Sequence, residues 1–296
     1  MEQKDHKKPI VVGIGELLWD VFPTGKRAGG APVNFVFHAT QLGAQGYAVS
    51  AVGNDILGTE ILQELTNNNI AYFIEILDYP TGSVKVELNN GNPTYTIIED
   101  VAWDHIPLAQ KAIDIVKKAD AICFGTLALR HPDSKNTIET LISYAPENSL
   151  RVFDINLRQH YYSKELIEEL LKKANVFKIN DDEIKTVKGM FSLQGGDSEV
   201  CKWFLNKYNL RYVILTAGEK YSVIYSSTEE SRIETPRVEV ADTVGAGDSF
   251  SGAFVYAILT GKTLHQAHEI AVKTAAFVCT KSGAWPAYAA QPCCSK

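Results

Sequence analysis

The chain has 296 residues, of which 45% are hydrophobic and 22% charged, and its formal net charge is -6. A chain of this length can bury roughly three quarters of its extended-chain surface, so a full core can form without disulfide or metal staples. The acidic balance excludes nucleic acid and anionic membrane as main partners, though ATP needs only local positive charge. The five cysteines are an odd, scattered set apart from Cys293-Cys294 and show no metal spacing, which suits reduced thiols in a cytoplasmic protein. The start is polar, and the first apolar run is broken by Glu16 and Asp20, so neither a signal peptide nor a membrane span is expected.

After a solvated tail over 1–9, residues 10–15 read as a buried strand. Gly13-x-Gly15-x-x-Leu18 is a near miss to the dinucleotide fingerprint. Leu18 stands where close helix packing wants glycine, and 19–23 does not read as a helix, so a Rossmann dehydrogenase is disfavoured. Asp20 lies just past the strand, where open α/β sheets bind ligands. By position alone it serves equally as an ordinary loop acid. Gly29-Gly30-Ala31-Pro32-Val33-Asn34 then leads into an apolar helix ending at Leu42-Gly43. Two glycines let a ligand approach the backbone, Pro32 suits a helix start, and Asn34 offers donors and an acceptor to a polyol.

Residues 53–55 start a helix over 56–67, and strand-like runs follow at 71–76, 83–88 and 94–98. The last two are expected to form a hairpin outside a parallel sheet. About 16–30 and 71–104 are assigned to a small β lid within one domain spanning 1–296. Helices over 108–119, 134–144 and 163–174 alternate with strands over 121–125, 150–155 and 176–179, the pattern of a parallel sheet with helices on both faces. Asp154-x-Asn156-x-Arg158 ends one strand, on the side where ligands bind, and Arg158 can fork-bond phosphate or sugar oxygens. Asn180-Asp181-Asp182-Glu183 follows the next strand as a plausible helix start. A strand over 212–216 turns through Ala217-Gly218 into another over 222–226. Gly261-Lys262-Thr263 resembles the end of a P-loop, but Tyr256 stands where the first glycine belongs, so that reading is rejected.

The most informative stretch is Asp242-Thr243-Val244-Gly245-Ala246-Gly247-Asp248, read as strand (233–240), tight turn and helix, with a last helix over 264–281. The first N–H groups of a helix lack internal acceptors and carry partial positive charge, so Gly245, Ala246 and Gly247 make an anion cradle. Asp248 would lie beside it as a proton acceptor. An anion cradle next to a carboxylate is the equipment for phosphoryl transfer to a hydroxyl.

Asp242-Thr243-x-Gly245-Ala246-Gly247-Asp248, followed by Gly252-Ala253, closely resembles the C-terminal motif of the ribokinase-like (PfkB) carbohydrate kinases. Gly29-Gly30-x-x-x-Asn34, Leu42-Gly43 and Val52-Gly53-Asn54-Asp55-x-x-Gly58 resemble their N-terminal motif, with Val36 standing where the family prefers a small residue. The resemblance spans Gly13 to Gly283. It implies a three-layer α/β/α fold with a mostly parallel sheet and a β lid, which in some members is also a homodimer clasp.

It also implies site roles. Asp248 would be the base and Gly245, Ala246 and Gly247 the anion hole. Asp20, Gly29, Gly30 and Asn34 would contact the sugar, with Arg158 assisting. Asn180, Thr216, Gly218 and Thr243 would serve the nucleotide. Glu183 would organise Mg²⁺ through water, and backbone carbonyls near 276–282 and Asp242 could hold K⁺. Glu99–Asp104 and Asp154–Arg158 resemble the fructokinase branch. The expected activity is ATP-dependent phosphorylation of fructose to fructose 6-phosphate. The alternatives are 2-keto-3-deoxygluconate, ribose or a nucleoside as acceptor, or a binding protein without catalysis.

Overall fold

The computed structural model describes residues 7–22, 25–89 and 92–288, with the backbone alone over 86–89 and 92–95. The lid hairpin's turn at Asn90-Gly91 lies outside the described residues.

Seven parallel strands form most of a nine-stranded sheet. The first, β1 (Ile10–Ile14), is entirely buried, and β2 (Leu18–Phe22) and β3 (Gly25–Gly29) follow it as a hairpin in a separate sheet. Helix α1 (Ala31–Leu42) returns the chain to β4 (Gln45–Gly53), and α2 (Ile56–Asn67) leads to β5 (Ala71–Leu77). Strands β6 (Gly82–Asn89) and β7 (Asn92–Ile97) complete the smaller sheet, in the order β3-β2-β6-β7. A 3₁₀ turn at Ala102–His105 re-enters the main layer.

There α3 (Gln110–Val116), β8 (Ala121–Phe124), α4 (Pro132–Tyr144), β9 (Leu150–Asp154), α5 (Lys164–Lys173) and β10 (Val176–Asn180) alternate. Helices α6 (Glu183–Met190) and α7 (Asp197–Lys207) precede β11 (Tyr212–Thr216) and the antiparallel β12 (Tyr221–Tyr225) and β13 (Glu230–Glu234). The chain closes with α8 (Ala246–Leu259) and α9 (Leu264–Cys279). Along the main sheet the order is β13-β12-β11-β10-β9-β8-β1-β4-β5.

Strand alternation divides the core. Ile10, Val12 and Ile14 of β1 face a cluster with α3 to α7, while Val11 faces one with α1, α2, α8 and α9. The result is helices on both faces of a buried parallel sheet.

Three expectations are corrected. Strand β5, assigned from sequence to the lid segment, pairs parallel with β4 over Tyr47↔Ala71 to Gly53↔Leu77 and is an edge of the main sheet. The strand expected over 233–240 is displaced: β13 ends at Glu234 and the chain through 240 is irregular. Val238 and Val240 stay exposed, so their alternation has no apolar surface to pack on, and Pro236 lacks an N–H for a ladder. Helix α7 has no counterpart among the expected elements, although Val200, Cys201, Phe204 and Leu205 bury one face at helical spacing.

Candidate active site

Parallel strands end where loops can gather ligands, and here those ends meet the start of α8 and one face of the smaller sheet. Gly245 caps α8 in the left-handed region (φ 77°), and a Cβ there would lie 2.8 Å from that of Ala284, so no other residue fits without strain. Ala246 N–H donates to the Thr243 carbonyl at 3.2 Å. Sequence placed the anion hole at Gly245, Ala246 and Gly247. Of these Ala246 N–H is already engaged, and the amides without an acceptor among the described residues are those of Gly245, Gly247 and Asp248.

Asp248 sits in the first turn of α8 and is half-buried. Its Oδ2 accepts a hydrogen bond from Asn34 Nδ2 at 2.8 Å, and Asn34 Oδ1 accepts from Trp285 Nε1 at 2.7 Å. An indole can only donate, so Trp285 fixes the Asn34 amide and turns its NH₂ towards Asp248. Burial raises the Asp248 pKa, while Lys178, Asn34 and Arg158 partly oppose it.

Asp20 lies on β2, within the smaller sheet rather than in a loop after β1. Burial raises its pKa to about 6, against the pull of Arg158 and Arg27. Its Oδ2 occupies the space a Cβ on Gly29 would approach to 3.1 Å. Gly30 has φ 122°, and a Cβ there would lie 2.1 Å from the Glu16 carbonyl, so this glycine serves chain packing more than substrate access. Arg27 on β3 reaches Asp242 at 2.6 Å, and Gly283 N–H donates to the same Asp242 Oδ2 at 3.0 Å. This pair ties the smaller sheet to the segment entering α8. Arg158 is exposed in the loop after β9, close enough to shift Asp20, Asp248 and Glu16.

On the other flank, Asn180 ends β10 and its Oδ1 accepts the amides of Asp182 (2.9 Å) and Glu183 (2.8 Å), closing the turn into α6, whose N-cap is Asp182 rather than Asn180. Glu183 is buried, with Oε1 accepting Leu157 N–H at 3.0 Å and Oε2 accepting Asn180 N–H at 2.9 Å. Thr216 lies opposite Asn180 in the β10–β11 register. Gly218 is exposed with φ 53°, and its carbonyl accepts from Thr235 Oγ1 at 2.8 Å. Thr243 is exposed beside the α8 start. Asp20, Asn34, Arg158 and Asp248 thus gather at one end of the site, and Asn180, Glu183, Thr216 and Gly218 gather at the ends of β10 and β11.

Four participants have no role in the sequence-based assignment: Glu16, Arg27, Lys178 and Trp285. Lys178 is buried in β10 and pairs with Asp154 at 3.2 Å. Burial opposes its charge, but Asp154, Glu183 and Asp248 outweigh that and raise its pKa. One buried cation thus serves several carboxylates, and burial lifts Asp154 to about 7. A lysine inside the apolar run Val176–Asn180 was the readable signal. Glu16 is also buried, accepts Ala31 N–H at 3.2 Å, and is raised to about 7 by desolvation.

The sequence matches the description "pfkB family carbohydrate kinase" over residues 11–289. An ATP-dependent 6-phosphofructokinase of Thermoanaerobacterium thermosaccharolyticum is 27% identical over 291 residues, covering 92% of this chain and 88% of that protein. The crystal structure of an uncharacterized sugar kinase from Pyrococcus horikoshii in complex with ATP superposes with a TM-score of 0.78 at 27% identity, over 93% of this chain and 94% of the other. A ribokinase II structure from E. coli gives a TM-score of 0.83 at 22% identity over 95% and 96% of the two chains, which establishes a ribokinase-like fold. Family match, fold and the α8 motif agree: the chain belongs to the PfkB family of carbohydrate kinases.

Proposed function

We propose that the protein transfers the γ-phosphoryl group of ATP to a sugar hydroxyl, with fructose, giving fructose 6-phosphate, as the preferred acceptor. The observation that carries this reading is the 2.8 Å contact of Asn34 with Asp248 at the origin of α8, with Arg158 close enough to act on both Asp248 and Asp20. Asp20 and Asn34 hold the sugar, and Arg158 reaches in from solvent. Asp248 accepts the proton of the attacking hydroxyl, and its raised pKa suits that task. The amides of Gly247 and Asp248, at the positive end of α8, steady the moving phosphoryl group. Thr216, Gly218 and Thr243 flank the nucleotide.

Both Glu183 oxygens already accept backbone amides, which fits an indirect hold on Mg²⁺ through its waters rather than direct ligation. Bound there with Asn180, the ion would neutralise charge on the ATP phosphates. The smaller sheet acts as a lid excluding water, the competing acceptor. Fructose is favoured by the fructokinase-like strings at 99–104 and 154–158 and by relatives that carry the name fructokinase. A second reading, an acidic sugar such as 2-keto-3-deoxygluconate, is favoured by the exposed guanidinium of Arg158 beside Asp20.

The test is ADP release with ATP, Mg²⁺ and a panel of fructose, 2-keto-3-deoxygluconate, ribose, a nucleoside and fructose 6-phosphate. Fructose should give the highest kcat/KM, and Asp248→Asn should lower kcat by at least about 10²-fold with the fold intact. Sugar binding without ADP release in the parent protein would overturn the kinase reading in favour of a binding protein.

A further inference from the structure

We propose that His105, His131 and Asp133 form a binding site for a borderline divalent transition metal, with Zn²⁺ as the best match. One ligand atom from each residue lies within 4.8 Å of the other two. His105 closes the 3₁₀ turn Ala102–His105, His131 is the N-cap of α4, and Asp133 lies in the first turn of that helix. None of the three belongs to the site around Asp248.

The distances are close to those a metal needs. His105 Nδ1 is 2.8 Å from Asp133 Oδ2, and His131 Nδ1 is 3.7 Å from the same oxygen. A tetrahedral zinc with bonds of about 2.0–2.2 Å holds its ligand atoms about 3.4 Å apart. Small side-chain rotations therefore reach it. Two imidazoles and one carboxylate suit zinc, and disfavour Mg²⁺ or Ca²⁺, which want oxygen ligands.

The surroundings of His105 match those of a metal-ligating histidine. Its Nε2 lies 3.1 Å from Asp100 Oδ1, a carboxylate–histidine pair that keeps the ring proton on Nε2 when Nδ1 takes the ion. Tyr79 stacks on the ring at 3.8 Å and 15°, which holds its plane. The His105 side chain is 11% exposed, whereas Asp133 is 61% exposed, so the ion enters from the Asp133 side. The α4 dipole opposes a cation at its N-terminus, and Asp133 and Asp100 supply the negative charge that offsets it. The ion would take the place of the proton His105 now donates to Asp133. Because Tyr79 precedes β6 and Asp100 follows β7, it would fasten both crossings to the smaller sheet onto α4.

The test is isothermal titration of the full, nucleotide-free chain with ZnCl₂, under excess Mg²⁺ to fill oxygen sites. One Zn²⁺ per chain should bind with micromolar affinity. His131→Gln and His105→Gln should each abolish this binding, and Asp100→Asn should weaken it about tenfold. Co²⁺ in place of Zn²⁺ should give d–d absorption without a sulfur-to-metal charge-transfer band, which Cys293-Cys294 would produce. His131 is partly exposed, so His131→Gln keeps the test valid even if His105→Gln unfolds. Absence of micromolar binding, unchanged binding in His131→Gln, or a thiolate band would each overturn the proposal.

Discussion

At the residue scale, the chemistry turns on carboxylates held away from water. Asp20 is the plainest case, with burial setting its pKa near 6 in the absence of sugar. In the function proposed above its ionised form accepts hydrogen bonds from sugar hydroxyls, and that form prevails above this value. The kcat/KM for sugar reports ionisations of the free enzyme. It should therefore fall as pH drops below 6, and Asp20→Asn should lose most of its sugar affinity and keep only the acid limb that Asp248 sets. An acid limb centred near pH 4, the ordinary carboxylate value, would contradict this assignment. The place of Asp248 at the start of α8 was legible because it sits in a short motif, whereas Asp20 was singled out only through the family resemblance and lies on β2 rather than in a loop. Glu16 and Arg27 were not legible. Their roles depend on which strands lie side by side, and no local spacing encodes that.

At the element scale, the telling strand is β10, which carries Lys178 through an otherwise apolar layer to Asp154 on β9. Removing one member of a buried ion pair leaves the other uncompensated, typically at a cost of about 3–5 kcal/mol. Lys178→Met should cost that order of stability in urea unfolding at pH 8, where Asp154 would otherwise be ionised. Adding Asp154→Asn should recover most of the loss. If the single variant melts like the parent, the pair contributes nothing. Helix α8 was legible to its first residue because Gly245-Ala246-Gly247 can serve little except a turn into a helix. The segment before it was misread because period-two alternation in 233–240 looks the same whether or not a neighbouring strand is present to receive it.

At the scale of the whole molecule, the alternation of strands and helices made the parallel sheet legible, and the polar hairpin marked the smaller sheet. The edge position of β5 was hidden, because an amphipathic strand can serve either sheet. The antiparallel margin of β12 and β13 is locked to α9 by His268, whose Nε2 lies 2.7 Å from Ser222 Oγ and Nδ1 2.9 Å from Ser231 Oγ. Burial lowers the His268 pKa to about 4. The unfolded chain therefore binds more protons than the folded one between about pH 6.5 and 4, and stability from this group falls as pH drops through that window. Between pH 7 and pH 5 the parent should lose about 1–2 kcal/mol relative to His268→Gln, measured by denaturant unfolding at both pH values. Equal losses would mean that His268 titrates alike in the folded and unfolded chain and that its pKa is not lowered.

The bond from Trp285 to Asn34, and from Asn34 to Asp248, spans almost the full length of the chain. During synthesis the ribosome must release residue 285 before residue 34 can be oriented towards the base. A chain cut before residue 285 therefore carries every earlier motif and still lacks the donor that turns the Asn34 amide towards Asp248.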